Sequence, residues 1–340
     1  MTQPLSRRAL LKTLGAATLL PSFSVVTPAA AQGAKPMRGV FIILNTPFTA
    51  SGAVDWDDLE REVAFVERGG CAGIVWPQGS SGVTTLTREE RLRGMEVLAK
   101  AVQGKRLSLV LGVQGRDTAE MLEYVRRAEA VGTDAVIAMP PTTGRTEEDY
   151  RAYFRALGAA TARPAIIQTS GGAKDLFPSV DLIVELAKAF PHMAYVKEES
   201  EPLIRRMQGE LAARPVMKGI FGASLGTGFL YEMRLGLDGI ITGMGMYADL
   251  MGKMWLLHER GENDAVRDAY SRFLLMRNLN ESIPGTDLYV MKMRGVFKTA
   301  VRRTSAPTAS SPAQLTEVLP SALEREEIEF RFAALKPYLI

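Results

Sequence analysis

From residue 38 onward, short apolar runs rich in β-branched residues alternate with amphipathic stretches of helical period. "GVFIILNTP", "AGIVWPQ", "LSLVLGV", "DAVIAMP", "PAIIQTS", "MAYVKE", "KGIFGAS" and "DGIITGM" have the length and composition of buried strands. "DWDDLEREVAFVERGG", "TREERLRGMEVLAKAV", "DTAEMLEYVRRAEAVG" and "PSVDLIVELAKAF" repeat their apolar positions as helices do. Helix punctuation agrees with this reading. Thr87 with Glu90 three residues on forms a capping box, Asp117 caps the next helix, and Gly69-Gly70, Gly132 and Gly236 follow helical stretches as stops. Eight strand–helix units in about 215 residues predict an α/β fold, a (β/α)₈ TIM barrel. A doubly wound open sheet would alternate in the same way. The count of eight, and the lack of a G-x-G-x-x-G turn after the first strand, favour the barrel. After Gly243 the pattern turns helical: "ADLMGKMWLLHERG", "DAVRDAYSRFLLMRNLNES" and "DLYVMKMRGVFKTAVRR", then a Ser/Pro-rich linker and a last helix. The expected division is an N-terminal segment 1–31, a barrel over 37–250 and a C-terminal helical extension over 251–340.

The N-terminal segment breaks the rhythm. "SRRALLKTLGAATLLPSFSVVTPAAAQ" has twin arginines (Arg7, Arg8), an apolar stretch, and Ala29-Ala30-Ala31 as a small-residue cleavage pattern. It resembles a bacterial twin-arginine export signal; an ordinary secretory signal or an uncleaved anchor are the alternatives. The expectation is export to the periplasm through the twin-arginine translocation machinery, with the mature chain starting near Gln32. No cysteine follows the apolar run and no later segment is long and apolar enough to span a bilayer, so no stable membrane anchor is expected.

Composition narrows the chemistry. The net charge of +3 comes from interspersed acids and bases with no basic block beyond Arg302-Arg303, which argues against nucleic acid as a partner. Cys71 is the single cysteine, and His192 and His258 are the only histidines, so neither a disulfide nor a Cys/His metal site is expected. Reactivity has to come from Lys, Ser, Thr, Tyr and carboxylates. In "HMAYVKEES" Lys197 ends an apolar strand, where an amine is costly to desolvate unless a partner compensates. Barrel strands end at the reactive face, so Lys197 is either a Schiff-base nucleophile or one half of an ion pair with Glu198 or Glu199. Lys218 starts the next strand, on the opposite face, and Lys174 sits in a loop. Strand alternation gives Tyr195 and Glu199 the parity of Lys197 and turns Glu198 away; Tyr195 then either supplies a phenol or fills a barrel layer. After the second strand, "PQGSSGVTTLT" offers Ser80, Ser81 and Gly82 as a turn able to cradle a carboxylate, or as a plain turn.

A G-[ST]-[ST]-G turn after strand two and a "VKE" lysine ending strand six together resemble the dihydrodipicolinate synthase / N-acetylneuraminate lyase family. The likeness runs from about Arg38 to Arg303 and includes the opening "NTPF". It implies a (β/α)₈ scaffold acting on pyruvate or other 2-oxo acids, with Lys197 forming the Schiff base and Ser80 and Ser81 holding the substrate carboxylate. It also implies a homo-oligomer, commonly a tetramer, and no metal or organic cofactor. The chain departs from the family pattern in its loops. A P-Y-Y loop after strand four, with a proton-shuttling tyrosine, is replaced by "MPPTTGR". The loop after strand five, usually bearing tyrosine or asparagine and an arginine for a second carboxylate, reads "QTSGGAKD", and Val83 stands where glutamate is usual. The M-P-P loop and the Tyr-x-Lys strand resemble the 2-keto-3-deoxy sugar-acid dehydratase branch. Thr142, Thr143 and Gln168 remain as polar groups to orient a hydroxylated chain or a water, with proton transfer through water held by Ser81 and Thr142. The expected function is a Schiff-base lyase that dehydrates a hydroxylated 2-oxo acid. A pyruvate-dependent aldolase, or a periplasmic binding or sensory protein that has lost turnover, are the alternatives.

Overall fold

The computed structural model describes residues 35–340; the expected export signal lies outside the described residues. Eight parallel strands close into a barrel: β1 (Gly39–Ile43), β2 (Gly73–Trp76), β3 (Ser108–Gly112), β4 (Ala135–Ala138), β5 (Ala165–Gln168), β6 (Tyr195–Lys197), β7 (Gly219–Gly222) and β8 (Gly239–Thr242). Around them run α1 (Trp56–Arg68), α2 (Arg88–Ala101), α3 (Thr118–Val131), α4 (Glu147–Ala160), α5 (Val180–Ala189), α6 (Leu203–Ala212), α7 (Phe229–Leu235) and α8 (Ala248–Glu259). The strands are buried on both faces, which is why they read as continuous apolar runs. Inward positions form a closed apolar plug of Phe41, Ile43, Val75, Val110, Ile137, Ile166, Phe221 and Ile241 among others. Phe41 meets Phe221 edge to face at 5.5 Å inside it.

Local chemistry starts the helices where the sequence predicts. Thr87 accepts from the Glu90 amide (3.1 Å) and Glu90 accepts from the Thr87 amide (2.9 Å), while the Asp117 carboxylate takes the Glu120 amide at 3.0 Å. Each such cap removes an orphan donor and contributes about 1 kcal/mol. Gly132 and Gly236 end α3 and α7 in the left-handed conformation.

The expected boundary at 250 falls inside α8. That helix packs on β1 and α1, so it completes the barrel ring. The extension proper comprises α9 (Asn263–Ser282), α10 (Thr286–Met293) and α11 (Ala322–Ala333), and it is not purely helical. β9 (Val301–Arg303) pairs antiparallel with β10 (Leu315–Glu317), so the Ser/Pro-rich stretch is a hairpin loop and not a free linker. Two buried ion pairs fasten the extension. Arg303 grips both oxygens of Glu90 (2.7 and 2.8 Å) and donates to the Gly52 carbonyl, and Arg294 pairs with Asp249 at 2.6 Å. Among the described residues, no helix is long and apolar enough to cross a membrane.

Outside the barrel, Glu232 of α7 lies buried against Gly222 with neither oxygen hydrogen-bonded. Burial pushes its carboxyl from 4.5 up to about 8. The folded chain therefore keeps a proton that the unfolded chain releases near pH 4.5, and this group's stabilising effect is lost as pH rises toward 8. That slope is about 1.4 kcal/mol per pH unit for one group. Glu232→Gln should flatten this part of the profile: its urea midpoint should exceed the wild type's at pH 8 and approach it near pH 4. A midpoint below wild type at both pH values would contradict this account.

Candidate active site

Lys197 ends β6 with its side chain inside the barrel rim, and the residue is only 3% exposed. Its Cα partner across the ladder is Gln168, the last residue of β5, so both side chains enter the same layer at the carboxyl ends of the strands. Glu199 follows at matching parity and sets its Oε2 3.0 Å from Lys197 Nζ. The Ser170 hydroxyl donates to the same Oε2, and Gln168 Nε2 donates to Ser170 Oγ at 3.1 Å. Gln168 Oε1 is buried with no hydrogen-bond partner. Lys197, Glu199, Ser170 and Gln168 thus form one polar string in an otherwise apolar wall.

Glu198 turns the other way, behind the strand, into a buried cluster that holds the string in place. Its Oε1 accepts from Thr169 Oγ1 and from the Ser200 amide, both at 2.7 Å, and its Oε2 lies 2.9 Å from the Arg206 guanidinium. Thr169 Oγ1 in turn accepts the Glu199 amide at 2.9 Å. The Glu198 side chain therefore fixes the backbone on both sides of Glu199. Glu210, one turn beyond Arg206 on α6, is buried beside this pair; burial, and then the neighbouring Glu198 carboxyl, push it up to about 10, so it remains a neutral acid.

Ser80 and Ser81 stand on the same rim after β2, in a single turn of 3₁₀ helix. Ser81 is buried, its hydroxyl donating to the Leu44 carbonyl (2.6 Å) and accepting the Gln78 amide (3.1 Å). Ser80 is exposed and lies against Gly243, where a side-chain carbon would collide with its Oγ. Gly82 closes the turn at φ +68°, a conformation costly for any other residue. The turn borders a cavity of about 330 Å³ that Thr46, Gly243 and Leu225 also line. Ser224 and Leu225 at its edge both have left-handed φ (+48° and +52°), a strained arrangement for non-glycine residues.

The remaining candidates are dispersed. Thr142 lines a separate cavity of about 550 Å³ with Arg91, Gln114, Arg116 and Met139. Thr143 donates its hydroxyl to the Arg116 carbonyl at 2.8 Å. Tyr195 packs against the barrel plug at the amino-terminal end of β6, filling the space that Gly219 leaves open. Lys218 faces away and donates to the Pro191 carbonyl, and Lys174 is exposed on its loop.

The chain matches the dihydrodipicolinate synthetase family over residues 36–319. The chain belongs to that family. It is 26% identical over 302 residues to the 4-hydroxy-tetrahydrodipicolinate synthase of Chlorobium phaeobacteroides, covering 86% of this chain and 97% of the relative. The corresponding protein of Phenylobacterium zucineum is 36% identical over 173 residues, a stretch that is 49% of this chain and spans only 56% of that relative. The dihydrodipicolinate synthase of Rhodopseudomonas palustris has the same fold, with a TM-score of 0.74, 22% identity, and coverage of 88% of this chain and 97% of the other. Members of the family are lyases of the aldolase type.

Sequence reasoning missed the Glu198–Arg206–Glu210 cluster, although the i, i+4 spacing of Arg206 and Glu210 on one apolar helix face was a signal. It also missed Gln78 and Gln114, buried and joined at 2.7 Å behind the serine turn. Removing Arg206 takes away the cation that lies 2.9 Å from the buried Glu198 carboxyl. Arg206→Leu should cost about 3–5 kcal/mol in urea unfolding, and adding Glu198→Gln should recover part of that loss. A single variant as stable as the wild type would show that the pair does not hold this rim together.

Proposed function

We propose that the protein is a Schiff-base-forming lyase for a 2-oxo acid with a hydroxylated chain, a 2-keto-3-deoxy sugar acid or a close analogue, which it dehydrates. The observation that carries this reading is Lys197: a buried amine at the carboxyl end of a barrel strand, within 3.0 Å of a carboxylate. The neutral amine adds to the C2 ketone, water leaves, and the iminium draws electrons from C3 when a C3 proton departs. The resulting enamine expels the C4 hydroxyl as water, and hydrolysis of the conjugated iminium frees the product and the lysine. The lysine is itself the electron sink. Ser80 and the turn around it receive the substrate carboxylate, and Gln168 Oε1, a buried acceptor with no partner, receives a substrate hydroxyl.

The loops after β4 and β5 depart from the family pattern that the sequence otherwise resembles. Neither loop offers a tyrosine, and Arg145 of the first donates to the Thr142 and Gly144 carbonyls of its own loop. A retro-aldolase releasing pyruvate uses the same iminium and differs only in which bond the enamine breaks. The tyrosine-free loops also favour a third reading, a 2-oxo acid binding or sensory protein without turnover. Export through the twin-arginine pathway to the periplasm and assembly as a homotetramer belong to the same proposal.

Borohydride reduction in the presence of pyruvate, followed by intact-mass spectrometry, tests the nucleophile. One reduced-pyruvate increment per chain is expected, absent in Lys197→Ala. An adduct that survives that substitution, or no adduct with pyruvate and longer 2-oxo acids, would overturn the lyase reading. With the adduct established, 2-keto-3-deoxy sugar acids should be consumed with loss of water.

A further inference from the structure

We infer that Glu199 is the acid–base catalytic residue of this site, the group that takes the C3 proton from the lysine-bound substrate and hands it to the departing hydroxyl. The inference rests on the Lys197 reading above and adds to it the proton carrier that the tyrosine-free loops leave unassigned. Among the described residues, Glu199 is the one acidic group within ion-pair distance of Lys197 Nζ, at 3.0 Å. In a lysine iminium the substrate's C3 is bonded to the carbon that Nζ holds, roughly 2.5 Å from that nitrogen by standard bond lengths. A carboxylate already in contact with Nζ therefore reaches the C3 hydrogens without rearrangement of the strand.

Tyr195, Tyr150 and Tyr153 are committed elsewhere. Tyr195 is in the barrel floor, the Tyr150 hydroxyl accepts the Ala173 amide and donates to the Leu176 carbonyl, and the Tyr153 hydroxyl accepts the Gly115 amide. Glu199, by contrast, is positioned for transfer. Its backbone amide is tied to Thr169, its Oε2 takes the Ser170 hydroxyl, and its side chain keeps 21% exposure toward the rim where substrate enters. Gln168 orients Ser170 in turn. Ser170 and Gln168 are positioning residues for this carboxylate.

The step balances. The carboxylate takes H⁺ from C3, and the C3–H electron pair becomes the C2=C3 bond of the enamine while the iminium nitrogen becomes neutral. The protonated Glu199 then gives its proton to the C4 oxygen, the C4–O bond breaks, water leaves, and the conjugated iminium and the Glu199 carboxylate are restored.

Pyruvate suffices for the test because its methyl group is C3. Wild type, Glu199→Gln and Glu199→Asp are incubated with pyruvate in D₂O, methyl deuterium uptake is followed by NMR, and each is trapped with borohydride in parallel. Normalised to the fraction of chain that traps pyruvate, Glu199→Gln should lose on the order of 10²-fold or more in exchange rate, and Glu199→Asp should restore part of it. Exchange in Glu199→Gln within a few fold of wild type would overturn the role of Glu199 and leave the Lys197 reading intact. Loss of trapping together with exchange in Glu199→Gln would assign Glu199 to holding the lysine in place, and would overturn the proposal as well. A wild-type protein that forms no adduct would remove the Lys197 reading and this inference with it.

Discussion

An amine buried to 3% exposure needs a counter-charge close by, and the contact between Lys197 and Glu199 meets that need at the end of β6. The rest of the rim is arranged around this contact. Strand parity sends Lys197 and Glu199 inward and Glu198 outward, so three consecutive polar residues serve two compartments. The inner compartment holds the Lys197–Glu199 ion pair. The outer one is a buried charge cluster in which Glu198 binds the Thr169 hydroxyl, the Ser200 amide and Arg206 at once. Geometry on one side of the strand is therefore maintained by hydrogen bonds on the other.

The protonation of the buried acids follows the same logic. Burial holds Glu210 and Glu232, whose oxygens have no hydrogen-bond partners, protonated well above the usual carboxylate range. Two ionised carboxylates side by side would repel each other in a low-dielectric interior. A neutral Glu210 fills the space without that cost.

The C-terminal extension supports the opposite side of the rim. Arg303 on β9 grips Glu90, the residue that also caps α2, and donates to the Thr85 carbonyl just beyond the serine turn. The turn that presents Ser80 is thus buttressed from a segment more than 200 residues later in the chain. Leu225, strained together with its neighbour Ser224, lines the same cavity.

Much of this was legible in the sequence because it depends on local periodicity and on local hydrogen bonds. Eight β-branched runs alternating with capped amphipathic helices specify a (β/α)₈ barrel whatever their distant contacts. Strand parity offers Glu199 as a partner for Lys197 if the strand persists; β6 ends at Lys197, and the structure is what sets Glu199 3.0 Å from its Nζ. Other features depend on which distant segments meet. The Ser/Pro-rich stretch looks like a linker until Val301–Arg303 finds Leu315–Glu317, and the start of α8 looks like an extension until it closes against β1. Nothing local in the sequence ties Arg206 to Glu198; the fold brings its guanidinium within 2.9 Å of that carboxyl. Tyr195 shares the parity of Lys197, but parity says nothing about depth. Depth is set by barrel layers, and the layer that holds Tyr195 is the apolar floor where Gly219 leaves room for its ring. The sequence by itself determined the scaffold and the place of Lys197 at the end of a barrel strand, because periodicity and capping act over a few residues. Only the tertiary structure decided what surrounds that lysine, because its neighbours come from separate strands, loops and helices that are brought together when the barrel closes.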